Sequence, residues 1–297
     1  MAKAKVIGIS AGADGAVWCV DSVGFAYKMQ GKTWRRNPEA KRVREITDGS
    51  ASTVWCRNDA GDIFKLQVSD WNSHWTKDDA AKNVQTISAG TDGTVWIGNE
   101  DGKLFMRVNN SWKETPKANA QEVSVGKATH VWCRNEAGKV FKLKGNGWDG
   151  DWDEDGQASW AQSISAAFDE TMWLSSADPA DKDRLFKREG PDQWDKNAKT
   201  KAVQVSVGSA SKVYCVDEFG QIRRLTGSGW NGDWTTVPLP DLPNSHLIKE
   251  GETLGAIVQD VYKLSGTAAY AKVDEIVALN GLEDADEIKA GDNIALP

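Results

Sequence analysis

The chain has no apolar run long enough to cross a bilayer as a helix, which excludes a helical membrane span. Its opening residues, Met1-Ala2-Lys3-Ala4-Lys5, pass almost at once into a strand-like pattern, without an apolar h-region or a small-residue cleavage site. The expectation is cytoplasmic synthesis without a cleaved signal peptide, followed by retention or by release along a non-classical route. Histidine is scarce: His74, His130 and His246 lie in three separate segments, and no Cys-x-x-Cys or His-Glu-x-x-His spacing occurs. The chain is therefore read as no enzyme, with no cofactor. Cysteine is scarce as well. Cys19, Cys56, Cys133 and Cys215 fall in four different repeats, whole repeats apart, too far for disulfide geometry. They read as small buried apolar residues in a reducing compartment. A basic stripe is also missing. Net charge is −7, and from His246 onward 4 basic residues face 10 acidic ones, which leaves 32 against 33 in the remainder. Nucleic acid and membrane insertion are excluded as partners on that ground.

What the sequence has in plenty is tryptophan at a fixed interval. Trp18, Trp55, Trp96, Trp132, Trp173 and Tyr214 each close a short Val-Trp-like strand, at separations of 37, 41, 36, 41 and 41 residues. A second tryptophan leads most anchors by 20 or 21 residues, as Trp34 leads Trp55 and Trp194 leads Tyr214. Within one period, Val84–Gly90 alternates, Thr-Asp-Gly turns, Thr94–Asn99 alternates, Glu-Asp-Gly turns, and Lys103–Val108 precedes a strand opening at Trp112. Period-two apolarity broken by Gly-Asp turns predicts four short strands per repeat, the size of one β-propeller blade. The repeats also alternate. Repeats one and three carry Gly-Ala-Asp-Gly (Gly12–Gly15) and Gly-Thr-Asp-Gly (Gly90–Gly93), and repeat five a worn Ala-Phe-Asp-Glu. Repeats two, four and six place Ser50–Thr53, Lys127–His130 and Ser209–Lys212 there instead. Only these even repeats carry a longer loop with an added tryptophan: Trp71–Trp75, Trp148–Trp152 and Trp230–Trp234. The array thus reads as three double units with approximate threefold symmetry.

This pattern resembles the tectonin family of six-bladed β-propeller lectins, whose repeat also passes from a Trp through a Val-Ser-Val-Gly-like strand and a Gly-x-Asp-Gly turn to Val-Trp. The resemblance covers residues 2–240 and implies a six-bladed propeller of four-stranded blades that binds glycans. The departures are Tyr214 at an anchor, an insertion near Asp178–Lys182, and the worn fifth turn, which make blade five the least regular binding unit. After a proline-punctuated linker at 241–245, the grammar changes. His246–Lys249 reads as a strand, Leu254, Ile257, Val258 and Val261 as a helix, Val273–Leu279 as a second helix, and Asn293–Leu296 as a final strand. That β-α-α-β order over 246–297 resembles a LysM module, with Glu252 where Asp is usual.

The candidate sites follow from the chemistry of sugars, which present an apolar ring face and a hydroxyl edge. An exposed indole beside Asp, Asn or His matches both. In the even loops these are Trp71 with Asn72 and His74, Trp148 with Asp149 and Asp151, and Trp230 with Asn231 and Asp233. The alternative is that these indoles pack between sheets, as the anchors are expected to do. Arg57-Asn58 and Arg134-Asn135 either line the same pockets or are solvated strand ends. The LysM resemblance implies a groove for N-acetylglucosamine polymers, of peptidoglycan or chitin type, between Gly251, Glu252, Thr253 and Leu254 and, opposite, Gly281 and Leu282. Thr253 alternatively caps a helix. Asp151, Asp153 and Asp155 match the first half of a calcium loop, but Gln162 stands where the bidentate Glu belongs. The expected function is a multivalent lectin for cell-surface glycans. The rival is a structural or cargo component of a phage-tail-like injection particle, in which the LysM-like module docks to protein.

Overall fold

The computed structural model describes every residue except Met1, Ala51, Ser69 and Lys117, so the Ala51 position of the Ser50–Thr53 turn lies outside the described residues. The chain is mainly β. Six four-stranded antiparallel sheets occupy 6–36, 43–77, 84–114, 122–154, 161–201 and 204–236, each built from four consecutive strands, in a propeller-like array. They are called sheets one to six below.

Their first strands carry backbone N–H groups that face the neighbouring sheet and need acceptors once buried. A Ser or Thr hydroxyl supplies one at every junction. Ser10 Oγ accepts the Asp48 N–H at 2.8 Å, Thr47 the Ala89 N–H at 3.0 Å, and Ser88 the Val125 N–H at 2.9 Å. Ser124 takes the Ala166 N–H at 2.8 Å, Ser165 the Val207 N–H at 2.9 Å, and Ser206 the Ala11 N–H at 2.8 Å. The last of these returns to sheet one, so the ring closes through side chains, with no strand shared between the first and last sheets. Between sheets lie six apolar clusters, one per junction, and each anchor aromatic fills the cluster between its own sheet and the next. Trp18, Trp55, Trp96, Trp132 and Trp173 are fully buried and Tyr214 is 7% exposed. Burying one indole from water is worth on the order of 5 kcal/mol before entropy. The four cysteines sit in these clusters as free, buried thiols.

Two kinds of junction alternate. From an odd sheet to the next even sheet, the anchor meets the even sheet's outer tryptophan edge-on: Trp18 with Trp75 at 6.2 Å, Trp96 with Trp152 at 5.9 Å, Trp173 with Trp234 at 6.1 Å. From an even to an odd sheet, an arginine lies over the anchor instead. Arg107 is 5.2 Å from the Trp55 ring and pairs with Asp78 at 3.3 Å; Arg188 is 5.0 Å from Trp132 and pairs with Asp155 at 3.0 Å. At the junction of sheets six and one, the corresponding residues are Met29 and Val237, both packed in the cluster around Tyr214. The closing seam is apolar where its two equivalents are ionic.

The C-terminal unit runs strand Asn244–Leu247, helix α1 (Leu254–Tyr262), helix α2 (Gly266–Asn280) and strand Asn293–Leu296. α2 begins at Gly266, well before the expected Val273, and only Lys263–Ser265 separates the helices. Thr-Ala-Ala-Tyr-Ala is helix-favouring but has no sharp apolar stripe, so periodicity alone hides its start. Ala2–Lys3 adds a third strand by pairing with Ser245 and Asn244. The unit lies against the ring. Lys41 Nζ donates to the Ala278 carbonyl at 2.6 Å, Arg42 pairs with Glu287, and Asn293 Nδ2 reaches Ser22 Oγ at 2.9 Å.

Candidate functional site

Three equivalent loops join the third and fourth strands of the even sheets. Each is a turn of one design. Ser73 N–H bonds Asp70 O at 3.3 Å, Gly150 N–H bonds Gly147 O at 3.2 Å, and Gly232 N–H bonds Gly229 O at 3.1 Å. Gly150 has no room for a side chain, since a Cβ there would sit 2.5 Å from the Lys144 carbonyl. The turn pushes its tryptophan outward: Trp148 is 37% and Trp230 39% exposed, and Trp71 is half-buried with the Arg35 guanidinium 6.0 Å from its ring. Around them, His74 contacts Glu39, Asp233 pairs with Lys199 at 2.8 Å, and Asn72, Asp149 and Asn231 belong to the same turns. Asp151 follows Trp148 and lends its carbonyl to Lys144 N–H at 2.7 Å.

The sequence reading missed what holds two of these loops. Asn37, at the end of sheet one, donates its amide to Ser73 O at 3.0 Å, and Asn197 in sheet five donates to Trp230 O at 2.6 Å and Gly232 O at 3.1 Å. The corresponding residue of sheet three is Thr115, whose buried hydroxyl has no partner among the described residues. The signal was present as Trp34-x-x-Asn37 and Trp194-x-x-Asn197 against Trp112-x-x-Thr115.

Other candidates take structural positions. Arg57 pairs with half-buried Glu45 at 3.2 Å and Arg134 with Glu122 at 2.6 Å, while Asn58 and Asn135 accept the N–H groups of Asp62 and Lys139 across their turns. Burial pushes the Glu45 carboxyl up to about 6 despite Arg57. Asp153 pairs with Lys144, whereas Asp155 is buried and accepts from Arg188 and Trp194. Among the described residues no group of three or more His, Cys, Asp or Glu gathers to hold a metal. Gly8-Ile9-Ser10-Ala11-Gly12 has the spacing of a hydrolase nucleophile elbow, but Ser10 lies inside a strand and its hydroxyl is committed to Asp48 N–H. In the C-terminal unit, Thr253 caps α1 through Ala256 N–H, Leu254 is buried, and Glu252 binds His246 at 2.9 Å. Gly251 is exposed at the preceding turn. Leu282 packs on the unit's core, and Gly281 faces the Lys41 side chain.

A Tectonin domain model matches residues 83–154, which are sheets three and four, one double unit of the ring. No curated protein sequence matches the chain. Among solved structures it is similar to the Pan2 WD40 domain of Neurospora crassa (11% identity, TM-score 0.52, covering 80% of this chain and 81% of that one). It is also similar to YCF48 bound to D1 peptide (10%, TM-score 0.51, 79% and 82%). A third similarity is to PorZ, a surface component of the type-IX secretion system of Porphyromonas gingivalis (10%, TM-score 0.52, 82% and 40%). At such identity these likenesses speak for the fold alone. Together with the matched segment, they support a β-propeller fold of tectonin type.

Proposed function

We propose that the chain is a non-enzymatic, multivalent carbohydrate-binding protein, a six-bladed tectonin-type propeller joined to a LysM-like module. The observation that carries this reading is the threefold recurrence of an indole on one turn design, exposed at Trp148 and Trp230 and half-buried beside Arg35 at Trp71, flanked by Asn, Asp or His. Each indole offers a stacking face and its neighbours offer hydroxyl partners, so single sites are shallow and weak. Three of them on equivalent loops turn the second and third contacts into intramolecular events, raising avidity by about a hundredfold or more. The ligands are cell-surface glycans, with N-acetylglucosamine polymers assigned to the LysM-like module.

The test is binding of the full chain to a glycan array and to peptidoglycan sacculi, with Trp71, Trp148 and Trp230 each changed to Ala. Stepwise loss of glycan retention supports the reading, and equal retention by all three variants refutes it. One observation favours the rival particle component: the Gly281 side of the LysM-like unit already meets Lys41 and Arg42 of the ring, so that unit contacts protein. Co-purification with a large particle, without sugar-dependent elution, would decide for that rival.

A further inference from the structure

Sheets two and five each have a groove bounded by the segment that enters the sheet, the residues following its anchor, and the aromatic side chains of its outer strands. In sheet two this groove is small, about 170 Å³, and lined by Glu39, Lys41, Cys56, Asn58, Phe64 and Trp75 among others. The same place in sheet five opens to about 440 Å³. Two departures from the repeat enlarge and line it. The insertion at Asp178–Lys182 replaces the tight glycine turn of the other sheets and brings Asp178 and Asp181 to the rim. The entering segment places Trp160 where the other repeats have Lys5, Arg42, Asn83, Asn119 and Lys201.

Trp160 is a costly residue there. Its φ is +65°, a left-handed conformation that suits Asn or Gly and penalises a bulky side chain, and its indole is 53% exposed. The backbone is held in that place from both sides. Gly138 (φ +76°) lets the Trp160 backbone approach so closely that a Cβ on Gly138 would lie 2.7 Å from Trp160 Cα. From the other side, Ala177 N–H bonds the Trp160 carbonyl at 2.7 Å. The fold therefore fixes an exposed tryptophan where stability favours Asn, and such an outlier beside a cavity points to binding.

The lining states the chemistry. Trp160, Phe186 and Trp194 are aromatic surfaces, while Asp178, Asp181 and Asp192 stand with Gln157 and Gln193 as polar groups. Among the described residues no lysine, arginine or histidine lines the cavity. Lys196 pairs with Asp181 at 3.0 Å without being part of the lining, and the Asp192 carboxylate also accepts Gly156 N–H at 3.1 Å. Aromatic faces beside several carboxylates favour a ligand with an apolar ring face and a positive charge, through stacking, cation–π attraction and charge-assisted hydrogen bonds. We propose that the sheet-five groove is a binding site for an amino sugar with a free ammonium group, separate from the three even-sheet loops. The proposal rests on the carbohydrate-binding reading only for the class of ligand.

The experiment is fluorine NMR of the full chain labelled with 5-fluorotryptophan, the Trp160 signal being assigned by its absence from a Trp160→Phe variant. Glucosamine, N-acetylglucosamine and glucuronic acid are titrated separately. Glucosamine is expected to shift the Trp160 signal saturably, with N-acetylglucosamine about tenfold weaker and glucuronate without effect. Asp178→Asn should weaken glucosamine about tenfold and leave N-acetylglucosamine unchanged. Trp160→Asn should abolish the glucosamine-induced shift of the Trp194 signal, which lines the same cavity, while holding or raising the melting temperature, as expected of a residue kept for binding. A Trp160 signal unmoved by all three sugars, or moved equally by them, overturns the proposal. Both results are independent of Trp71, Trp148 and Trp230, so a negative glycan array and a negative titration identify different failures.

Discussion

The two ionic junctions and the apolar seam are alternative solutions to one packing problem, and exchanging them measures what each is worth. Changing Arg107 to Met leaves Asp78, whose side chain is 11% exposed, without its cation and removes the charge above Trp55. A stranded buried carboxylate and a lost cation–π contact together cost about 3 kcal/mol. Asp78→Val leaves Arg107 unpaired but still over Trp55 and 25% exposed, which costs about 1 to 2 kcal/mol. The Ala80 N–H that Asp78 also caps lies at an exposed position, where water replaces it. The double variant reproduces the Met29 and Val237 pairing that the chain already uses between sheets six and one. It should lose no more than about 1 kcal/mol, because neither charge is left stranded. With roughly 2 to 4 °C per kcal/mol for a chain of this size, the Arg107 variant melts about 6 to 12 °C lower and the double variant within about 4 °C of the parent. Scanning calorimetry of the four proteins gives the coupling directly. Additive losses, with the double variant the least stable, would refute the equivalence of the junctions.

Other expectations follow from single groups. Burial, with Asp14 nearby, pushes the Asp48 carboxyl from 3.8 to about 7 against the pull of Lys28, and burial raises Asp21 to about 6. For groups raised in the folded state, the stabilisation is complete below their unfolded values and disappears as pH rises through about 6 to 7. The melting temperature of the parent relative to Asp48→Asn should therefore fall between pH 5 and pH 8, a comparison in which the opposite contribution of buried His130, lowered to about 4, cancels; a difference that climbs over this interval would contradict the assignment. Asn197→Ala removes the amide that holds the Trp230 turn. It is expected to cost about 1 kcal/mol or more and to weaken glycan binding at that loop, and calorimetry showing no loss would deny the clamp any role.

The ring was legible in the sequence because its determinants are local and repeated six times: an anchor aromatic and an alternating strand. The alternation of odd and even sheets was legible too, since the added tryptophans mark it. What stayed hidden depends on contacts distant in sequence. Ala2–Lys3 pairs with Ser245 and Asn244 across the whole chain, and two residues carry too little pattern to announce a strand. Asn37 and Asn197 look like ordinary polar strand ends until the neighbouring sheet places a carbonyl against them. Trp160 was hidden for another reason. The worn turn and insertion of repeat five read as decay of the pattern, whereas in three dimensions the insertion supplies the rim of a cavity and the tryptophan its wall.

The alternation also sets the smallest unit able to carry a loop site. An even sheet contributes the turn and its indole, and the preceding odd sheet contributes the outer-strand amide that fixes that turn in two of the three cases. The edge-on contact of an odd anchor with the even sheet's outer tryptophan then positions the fourth strand from which the turn returns. One repeat alone holds neither interaction. Duplicating pairs of sheets keeps the turn and its support together, while the even-to-odd junctions are free to differ as ionic or apolar seams. On this view Thr115 marks the pair whose loop is least constrained. The Trp148 turn would then lose the most ordering entropy on binding and rank as the weakest of the three sites.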